Sequence, residues 1–428
     1  MNAEQTAQAK KHNKTVLMIA FEFPPSNGAS VPRIESFYRY LKQWGWNVVV
    51  LTASEQAYSK IDHTYKDEPE DNIYRAKALD VQKNLSYKGK YLSVMETPDR
   101  WGLTWIPNAV KLGKKLIQKY QPDVIWSSAP IPSTHYIANK LSQKNNIPWV
   151  ADYRDPCHYM NGSAGRWLDF IHKKIDQSVM KNASHITYAT SAVRDVYQDK
   201  YGQFMANKNT VIENGYDEAN FEKLANLEDK LTPFSDNKFT LYYSGVLYPN
   251  GRDPVPIFEA LSQLKFEQKI SHENFELIFQ GAGNGAEFVS TLNDLNIVDL
   301  VKFIEPVPFI NALNNMTKAN ALLLIQDARF NKQIPGKVYE YLRTQRAMLV
   351  KADAQGATYK LAEQFSGVYL GQNKQNLQAS LEIMLNENNH NESGDHLNAY
   401  DRDLSPYSRK QKAEQLVVIL KQLTTNIR

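Results

Sequence analysis

The sequence predicts an α/β protein made of two doubly wound domains, each with a parallel sheet. Three observations carry this reading. Short, continuous apolar runs recur along the chain, helical stretches separate them, and the alternation restarts after a polar break at residues 217–237. A run that is apolar at every position reads as a strand buried on both faces, which is the mark of a parallel sheet. Strands alternating with helices point to doubly wound architecture. The length, 428 residues, also asks for more than one domain, since domains usually hold about 100–200 residues.

Taken in order, residues 1–13 read as a polar tail. The run Thr15–Ala20 is the first strand, followed by the loop Phe21–Ala29 and a helix at Val31–Trp44. Further strands are expected at Val48–Leu51, Val124–Trp126, Pro148–Ala151 and His185–Tyr188, with a helix at Thr134–Lys144 among the connections. The first domain therefore spans 14–216. Residues 217–237, rich in Glu, Asp, Asn and Lys, read as the linker region. The second domain, 238–404, brings strands at Phe239–Tyr243, Phe275–Phe279, Val301–Ile304, Ala321–Ile325 and Ala347–Val350. Asn386–Asp395 reads as a polar loop. The last segment, 405–428, holds an amphipathic helix at about Ser408–Leu423, with Ala413, Leu416, Val417, Leu420 and Leu423 near helical spacing. The two halves do not resemble each other in sequence, so a shared architecture is expected and not a repeat.

Composition narrows the function. Hydrophobic residues at 42% and charged residues at 22% describe a globular chain. The formal charge of +4 is too small for nucleic acid, which asks for a strongly basic stripe. It leaves room for an anionic small molecule or an acidic membrane surface. A single cysteine, Cys157, excludes a disulfide framework and points to a reducing compartment. The polar N-terminus lacks the apolar core of a secretory signal, and no run approaches the roughly 18–20 residues of a membrane span. A cytoplasmic protein is expected, with peripheral contact at the inner face of the membrane left open. Lys111, Lys114, Lys115 and Lys119, after Trp101, Trp105 and Pro107, read first as a solvated helix face, and would also suit a membrane rim.

The richest stretch for chemistry is Gln333-Ile334-Pro335-Gly336-Lys337-Val338-Tyr339-Glu340. Pro335 suits the first position of a helix, where its missing N–H would be unpaired anyway. Gly336 lets a ligand approach the backbone. The free N–H groups of a helix start make an anion site, and Lys337 adds a full charge beside them. Glu340 lies three residues on, on the same face, where a carboxylate can accept bonds from both hydroxyls of a ribose. Alone, Lys337 and Glu340 read first as an ordinary surface ion pair. Arg252 shifts the balance. It follows the first strand of the second half, and ligands of parallel sheets bind at the carboxyl ends of strands. A diphosphate there would face two cations and a helix start, enough to neutralise a leaving group without a metal.

Other patterns exclude or stay open. The loop Phe21–Ala29 holds one glycine, Gly28, not the Gly-x-Gly-x-x-Gly of a nicotinamide-binding turn. Gly28 and Ala29 would let backbone amides come close to a phosphate, or form a simple turn. Gly281-Ala282-Gly283 reads as a turn that clears room for a neighbour. Asp152-Tyr153-Arg154-Asp155 at a strand's end is either an acceptor or base site, or an internal Asp–Arg salt bridge that braces the loop. Paired His or Cys spacings and a Gly-x-Ser-x-Gly elbow are missing, so neither a metal site nor a serine hydrolase is expected.

The landmarks Phe23–Ala29, Ser127–Pro130, Ala151–Pro156, Glu213–Asp217, Tyr243-Ser244-Gly245 with Arg252-Asp253-Pro254, and Pro335–Tyr341 resemble, in order and spacing, the GT-B glycosyltransferases. The resemblance is to glycosyltransferase family 4 and its bacterial polysaccharide-assembly members. It covers nearly all of the chain after the first dozen residues. It implies two Rossmann-like domains facing across a cleft, with the last helix crossing back onto the first. It implies a retaining, metal-independent transfer of a sugar from a nucleotide diphosphate sugar to a glycan or lipid-linked hydroxyl, with no cofactor beyond the donor itself. Arg252 and Lys337 match the family's diphosphate-binding pair and Glu340 its ribose-binding glutamate. Gly28 and Ala29 match the loop that meets the donor phosphates. Gly245, Gly281, Pro308, Pro335, Gly336 and Val338 complete the expected donor set. Asp155 is the candidate to touch the acceptor, with Arg154 and Asp152 beside it. Two departures stand out: Lys332 replaces the first of two glutamates eight positions apart, which usually orients the sugar, and Arg154 stands where a histidine is frequent. The rival readings are a GT-B sugar-nucleotide epimerase and a sugar-nucleotide-binding protein without catalysis.

Overall fold

The apolar run Thr15–Ala20 forms β1, an interior strand of the first sheet, and its side chains explain the layers on either side. Leu17 and Ile19 point into one hydrophobic core, Val16, Met18 and Ala20 into another. The computed structural model describes residues 13–62, 65, 72–156, 166–205, 207–225, 234–235, 237–247, 251–389 and 399–425. Around β1 (Thr15–Ala20) lie β2 (Asn47–Ala53), β3 (Ile73–Ala76), β4 (Val124–Ser128), β5 (Trp149–Tyr153), β6 (His185–Tyr188) and β7 (Asn209–Val211). Their order across the sheet is β3-β2-β1-β4-β5-β6-β7, and every pairing is parallel.

The second sheet repeats this order. β8 (Phe239–Ser244), β9 (Phe275–Gln280), β10 (Val301–Ile304), β11 (Ala321–Ile325), β12 (Ala347–Lys351) and β13 (Val368–Gly371) run β10-β9-β8-β11-β12-β13, again all parallel. Leu323 and Ile325 face one core and Leu322 and Leu324 the other. The predicted fold class, two doubly wound α/β domains, is what the chain adopts. In each sheet the order reverses between two central neighbours, β1 and β4 in the first, β8 and β11 in the second. Such a switch point is where open α/β sheets bind ligands, just beyond the carboxyl ends of the strands.

The chain divides into two compact units, residues 1–212 with 413–428, and residues 213–412. The last helix, Arg409–Thr425, runs over the second division. From Ala413 on it belongs to the first unit, where Ala413, Leu416, Val417 and Leu420 pack with Val16, Met18 and Trp126. Its first turn stays with the second unit, Arg409 Nε donating to the Gly215 carbonyl at 2.8 Å.

Some expectations shift. Part of the expected linker is a helix, Glu218–Ala225, anchored by buried Phe221, with the Arg343 guanidinium 4.7 Å from that ring. One phenylalanine outweighs the polar composition around it. Residues 386–389, read as loop, continue the helix Lys374–Asn389. The edge strands β3, β7 and β13 escape an apolar-run reading because they are only partly buried. The tail 1–12, residues 226–233 and 236 of the linker region, and Cys157 lie outside the described residues.

Candidate active site

At the switch point of the second unit, the helix Gly336–Arg343 meets the end of β8. Pro335 is extended, with φ −61° and ψ 141°, and caps the helix without a side-chain bond, so helical residues begin at Gly336. Val338, Tyr339, Tyr341 and Leu342 bury the inner face. Lys337 and Glu340 are left on the side that looks toward the strand ends. A Cβ on Gly336 would meet nothing within 4 Å, so the helix start is open to an incoming group. The loop before it is braced from within: Gln326 Nε2 donates to the Phe330 and Gln333 carbonyls at 2.9 and 3.0 Å, and Thr358 Oγ1 to Gln333 at 3.0 Å.

Lys337 Nζ donates to the Ser244 carbonyl at 2.6 Å and lies 4.4 Å from the centre of the Tyr243 ring. Arg252 Nη1 donates to the Val246 carbonyl at 2.8 Å and reaches the same tyrosine's hydroxyl at 3.5 Å. Two cations thus flank Tyr243. Burial pulls the Lys337 ammonium down to about 7, the positive charge of Arg252 adds to the fall, and Glu340 opposes it. Burial raises the Glu340 carboxyl, against the pull of Arg409 and Lys337; Arg409 Nη2 stands 3.9 Å from it. Gly245 has φ +107°, and a Cβ there would come within 3.2 Å of Lys337 Nζ. Glycine serves here both for its backbone and for the room it leaves the lysine. Gly281 follows the last residue of β9 with φ +70°, and Pro308 caps the helix after β10. Both stand at the carboxyl edge of the sheet.

The switch point of the first unit holds a cavity of about 270 Å³ between the ends of β1 and β4. Phe21, Glu22, Ser30, Trp101, Ser128 and Arg154 are among its lining residues. Ser30 donates its hydroxyl to Glu22, and a Cβ on Gly28 would run into the Glu22 carboxyl. Arg154 pairs with Asp155 at 2.8 Å. Asp152 is buried and turns the other way. Its two oxygens take Arg33 Nε and Nη2 at 3.1 and 2.8 Å, Ser128 Oγ at 2.9 Å and Thr187 Oγ1 at 2.7 Å.

Comparison with known proteins agrees with this fold. Residues 31–220 match the family model described as Glycosyltransferase Family 4. Sucrose-phosphate synthase from Thermosynechococcus elongatus superposes with a TM-score of 0.63 at 13% identity, covering 97% of this chain and 100% of that one. A glycosyltransferase from Rickettsia africae gives 0.61 at 14% identity, with the same coverage of 97% and 100%. The chain has the GT-B fold, and its residues 31–220 match glycosyltransferase family 4. UDP-GlcNAc 2-epimerase from Methanocaldococcus jannaschii shares the GT-B frame too, with a TM-score of 0.55 at 13% identity over 96% of this chain and 99% of that one. At such identities these likenesses speak for the fold. No curated protein sequence gives a significant match.

Within this GT-B protein the structure sorts the expected site residues. Lys337, Arg252, Gly245 and Glu340 come together with the helix start at Pro335 and Gly336. Val338 does not join them: its side chain is fully buried and its N–H is bonded to the Pro335 carbonyl at 3.1 Å, so it is core and not a donor contact. Asp152 is likewise corrected from acceptor contact to internal brace, its charge answered by Arg33. Arg154 and Asp155 form the braced pair, and Arg154 still lines the cavity. The space beside Gly28, where a phosphate was expected, is taken by Glu22. Lys332 is exposed. Trp105 is fully buried and cannot form a membrane rim, while Lys111, Lys114, Lys115 and Lys119 are exposed. No helix among the described residues is long and apolar enough to cross a membrane. No three His, Cys, Asp or Glu side chains among them are grouped to hold a metal ion. Sequence reasoning missed Tyr341, whose hydroxyl accepts from the Ser244 N–H at 3.0 Å, and Arg33, Glu22 and Gln326. The partners of Tyr341 and Arg33 lie 97 and 119 positions away, and those of Glu22 and Gln326 follow them at spacings that match no motif.

Proposed function

We propose that the protein transfers a sugar from a nucleotide diphosphate sugar to a hydroxyl of a glycan or lipid-linked acceptor, with retention of anomeric configuration and without a metal. Its place would be in cell-surface or exopolysaccharide assembly. One observation supports this most: Lys337 and Arg252 converge on Tyr243 at the switch point, beside an open helix start. Two cations held close repel each other, and a bound diphosphate turns that cost into attraction. In the reaction the acceptor oxygen bonds to the anomeric carbon on the face the leaving group departs from. The bond from that carbon to the phosphate oxygen breaks, its electron pair stays on the phosphate, and that oxygen takes the acceptor proton. Lys337, Arg252 and the helix N–H groups hold the charge that develops on the departing diphosphate. Glu340 is assigned to the ribose hydroxyls.

The test is donor hydrolysis and transfer by Lys337→Ala, after the base and sugar have been found by thermal shift with UDP-, GDP-, ADP- and dTDP-sugars. Losing one such donor of positive charge costs about 10²–10³ in turnover; near-parental rates sink the assignment. The GT-B frame shared with an epimerase supports a second reading. It predicts conversion of the donor sugar to its epimer without any acceptor, which a product analysis reads directly.

A further inference from the structure

We propose that the cavity of the first unit is a subsite for one neutral pyranose ring, with Glu22 and Arg154 bonding to its hydroxyls and Trp101 covering its apolar face. The ring would belong to the acceptor, a step that rests on the transferase reading above.

Size comes first. Pockets for drug-sized ligands run about 300–1,000 Å³, so a cavity of about 270 Å³ suits a single ring better than a chain of them. The position is the second argument. The cavity lies just beyond the carboxyl ends of the paired strands β1 and β4, the place in a doubly wound sheet where ligands sit. The second unit has its cationic site at the equivalent place.

The lining then selects the chemistry. A pyranose presents hydroxyls around its edge and C–H groups on its faces. Trp101 leans on Phe21 at an interplanar angle of 41° with ring centres 4.6 Å apart, the Arg100 guanidinium lies 5.0 Å from its ring centre, and Phe21 meets buried Trp105 at 4.9 Å. The platform is therefore backed by core and fixed before a ligand arrives. Glu22 is placed in advance too, by the Ser30 hydroxyl and by the missing side chain of Gly28. A carboxylate accepts from two neighbouring hydroxyls at once. Arg154, with its side chain 15% exposed and held by Asp155, supplies donors to the other edge. Its Nε is buried and finds no hydrogen-bond partner among the described residues, which buried donors rarely tolerate.

Charge decides between a neutral and an anionic sugar. The guanidinium is already answered by Asp155, whereas the Glu22 carboxylate lines the cavity and, among the described residues, is bonded by the Ser30 hydroxyl. A uronate or sugar phosphate would bring a second negative charge beside Glu22, and like charges in a partly dry site are costly. Glu22 thus acts as the residue that excludes anionic rings.

The test uses the full chain and ligand-observed NMR with methyl glucopyranoside, galactopyranoside and mannopyranoside, each beside glucuronic acid or glucose 6-phosphate. At least one neutral glycoside is expected to bind and the anionic probes to bind more weakly. Glu22→Gln reverses this order, weakening the glycoside and raising glucuronic acid binding relative to it by about tenfold, or 1.4 kcal/mol. A misfolded variant could not gain a ligand in this way. Trp101→Leu and Arg154→Met should each weaken the neutral glycoside. Tighter binding of the anionic probes to the parent protein, no glycoside binding at all, or an unaltered order in Glu22→Gln overturns the proposal. Nucleotide-sugar binding by the parent protein is measured alongside. Its absence would strike the transferase reading and leave the cavity result standing, and its presence without glycoside binding would do the opposite.

Discussion

Lys337 reaches back from the first turn of its helix to the carbonyl of Ser244, 2.6 Å away, at the last residue of β8. Tyr341, one turn further on, accepts from the N–H of the same serine at 3.0 Å. Both polar groups at the strand's end are thus taken by one face of one helix. The helix start is locked to the sheet edge, and the ammonium is held against Tyr243 in reach of the field of Arg252. The lysine finds a neutral carbonyl where an anion would suit its charge better. On the proposed reading, a bound diphosphate would supply that anion.

Donor binding should therefore take up a proton. The Lys337 ammonium, pulled down to about 7 by burial and by Arg252, is largely neutral at about pH 8. A diphosphate beside it favours the charged form and raises its pKa. Both phosphates of a nucleotide sugar are esterified and stay ionised through this range, so the uptake belongs to the protein. The association constant should fall as pH rises above about 7, approaching tenfold per pH unit, since one pKa unit is worth about 1.36 kcal/mol. Calorimetry at pH 8 in buffers of different ionisation enthalpy reads the uptake. It should approach one proton in the parent protein and vanish in Lys337→Met. Equal heats in all buffers would contradict this picture.

Glu340 carries a separable part of the grip. Its carboxyl is pushed up by burial, with Arg409 and Lys337 working against the rise. Two ribose hydroxyls donating to it would pull it back toward the charged form. Glu340→Gln should weaken nucleotide-sugar binding by about 1.5–3 kcal/mol, the worth of hydrogen bonds to a charged group. The decisive comparison is with a 2′-deoxyribose donor. The parent protein should discriminate against it and the variant should not, so that the double-mutant cycle gives a clear coupling. Equal discrimination by both proteins would take the ribose away from Glu340.

What could be read from the sequence follows from the range of the interactions involved. The central strands were legible because both faces of each are buried, which forces continuous apolar runs such as Leu322–Ile325. The cationic site was legible because strand ends, a proline, a glycine and a lysine lie close together in the chain. The face on which Val338 lies was not, since its pairing with the core is decided by how the helix docks on β8 and β11. Nor was the fate of Asp152. Its partner Arg33 is 119 positions away, and nothing local distinguishes an aspartate that meets a distant arginine from one that awaits a ligand.

The role of Asp152 gives the last prediction. Burial alone would raise its carboxyl, but the charge and hydrogen bonds of Arg33, with Thr187 and Ser128, outweigh that and hold it below the ordinary range. Arg33 is also buried, and its Nη2 donates to the Ile212 carbonyl at 2.8 Å, so the pair ties the helix Val31–Gln43 to β5 and to the end of the first unit's main segment. Removing one partner of such a pair leaves a buried charge uncompensated and costs about 3–5 kcal/mol. Asp152→Ala should lower the urea midpoint of the first unit accordingly. Replacing Arg33 by Met in the same protein should recover a large part of the loss, because the stranded charge goes with it. The pH dependence has a definite sign. A depressed carboxyl stabilises the fold above its unfolded value of about 3.9, and the contribution is lost as pH falls through the folded value. Parental stability should therefore decline on acidification more steeply than that of the double variant. A small stability change in Asp152→Ala, together with loss of sugar transfer, would return this residue to the acceptor site.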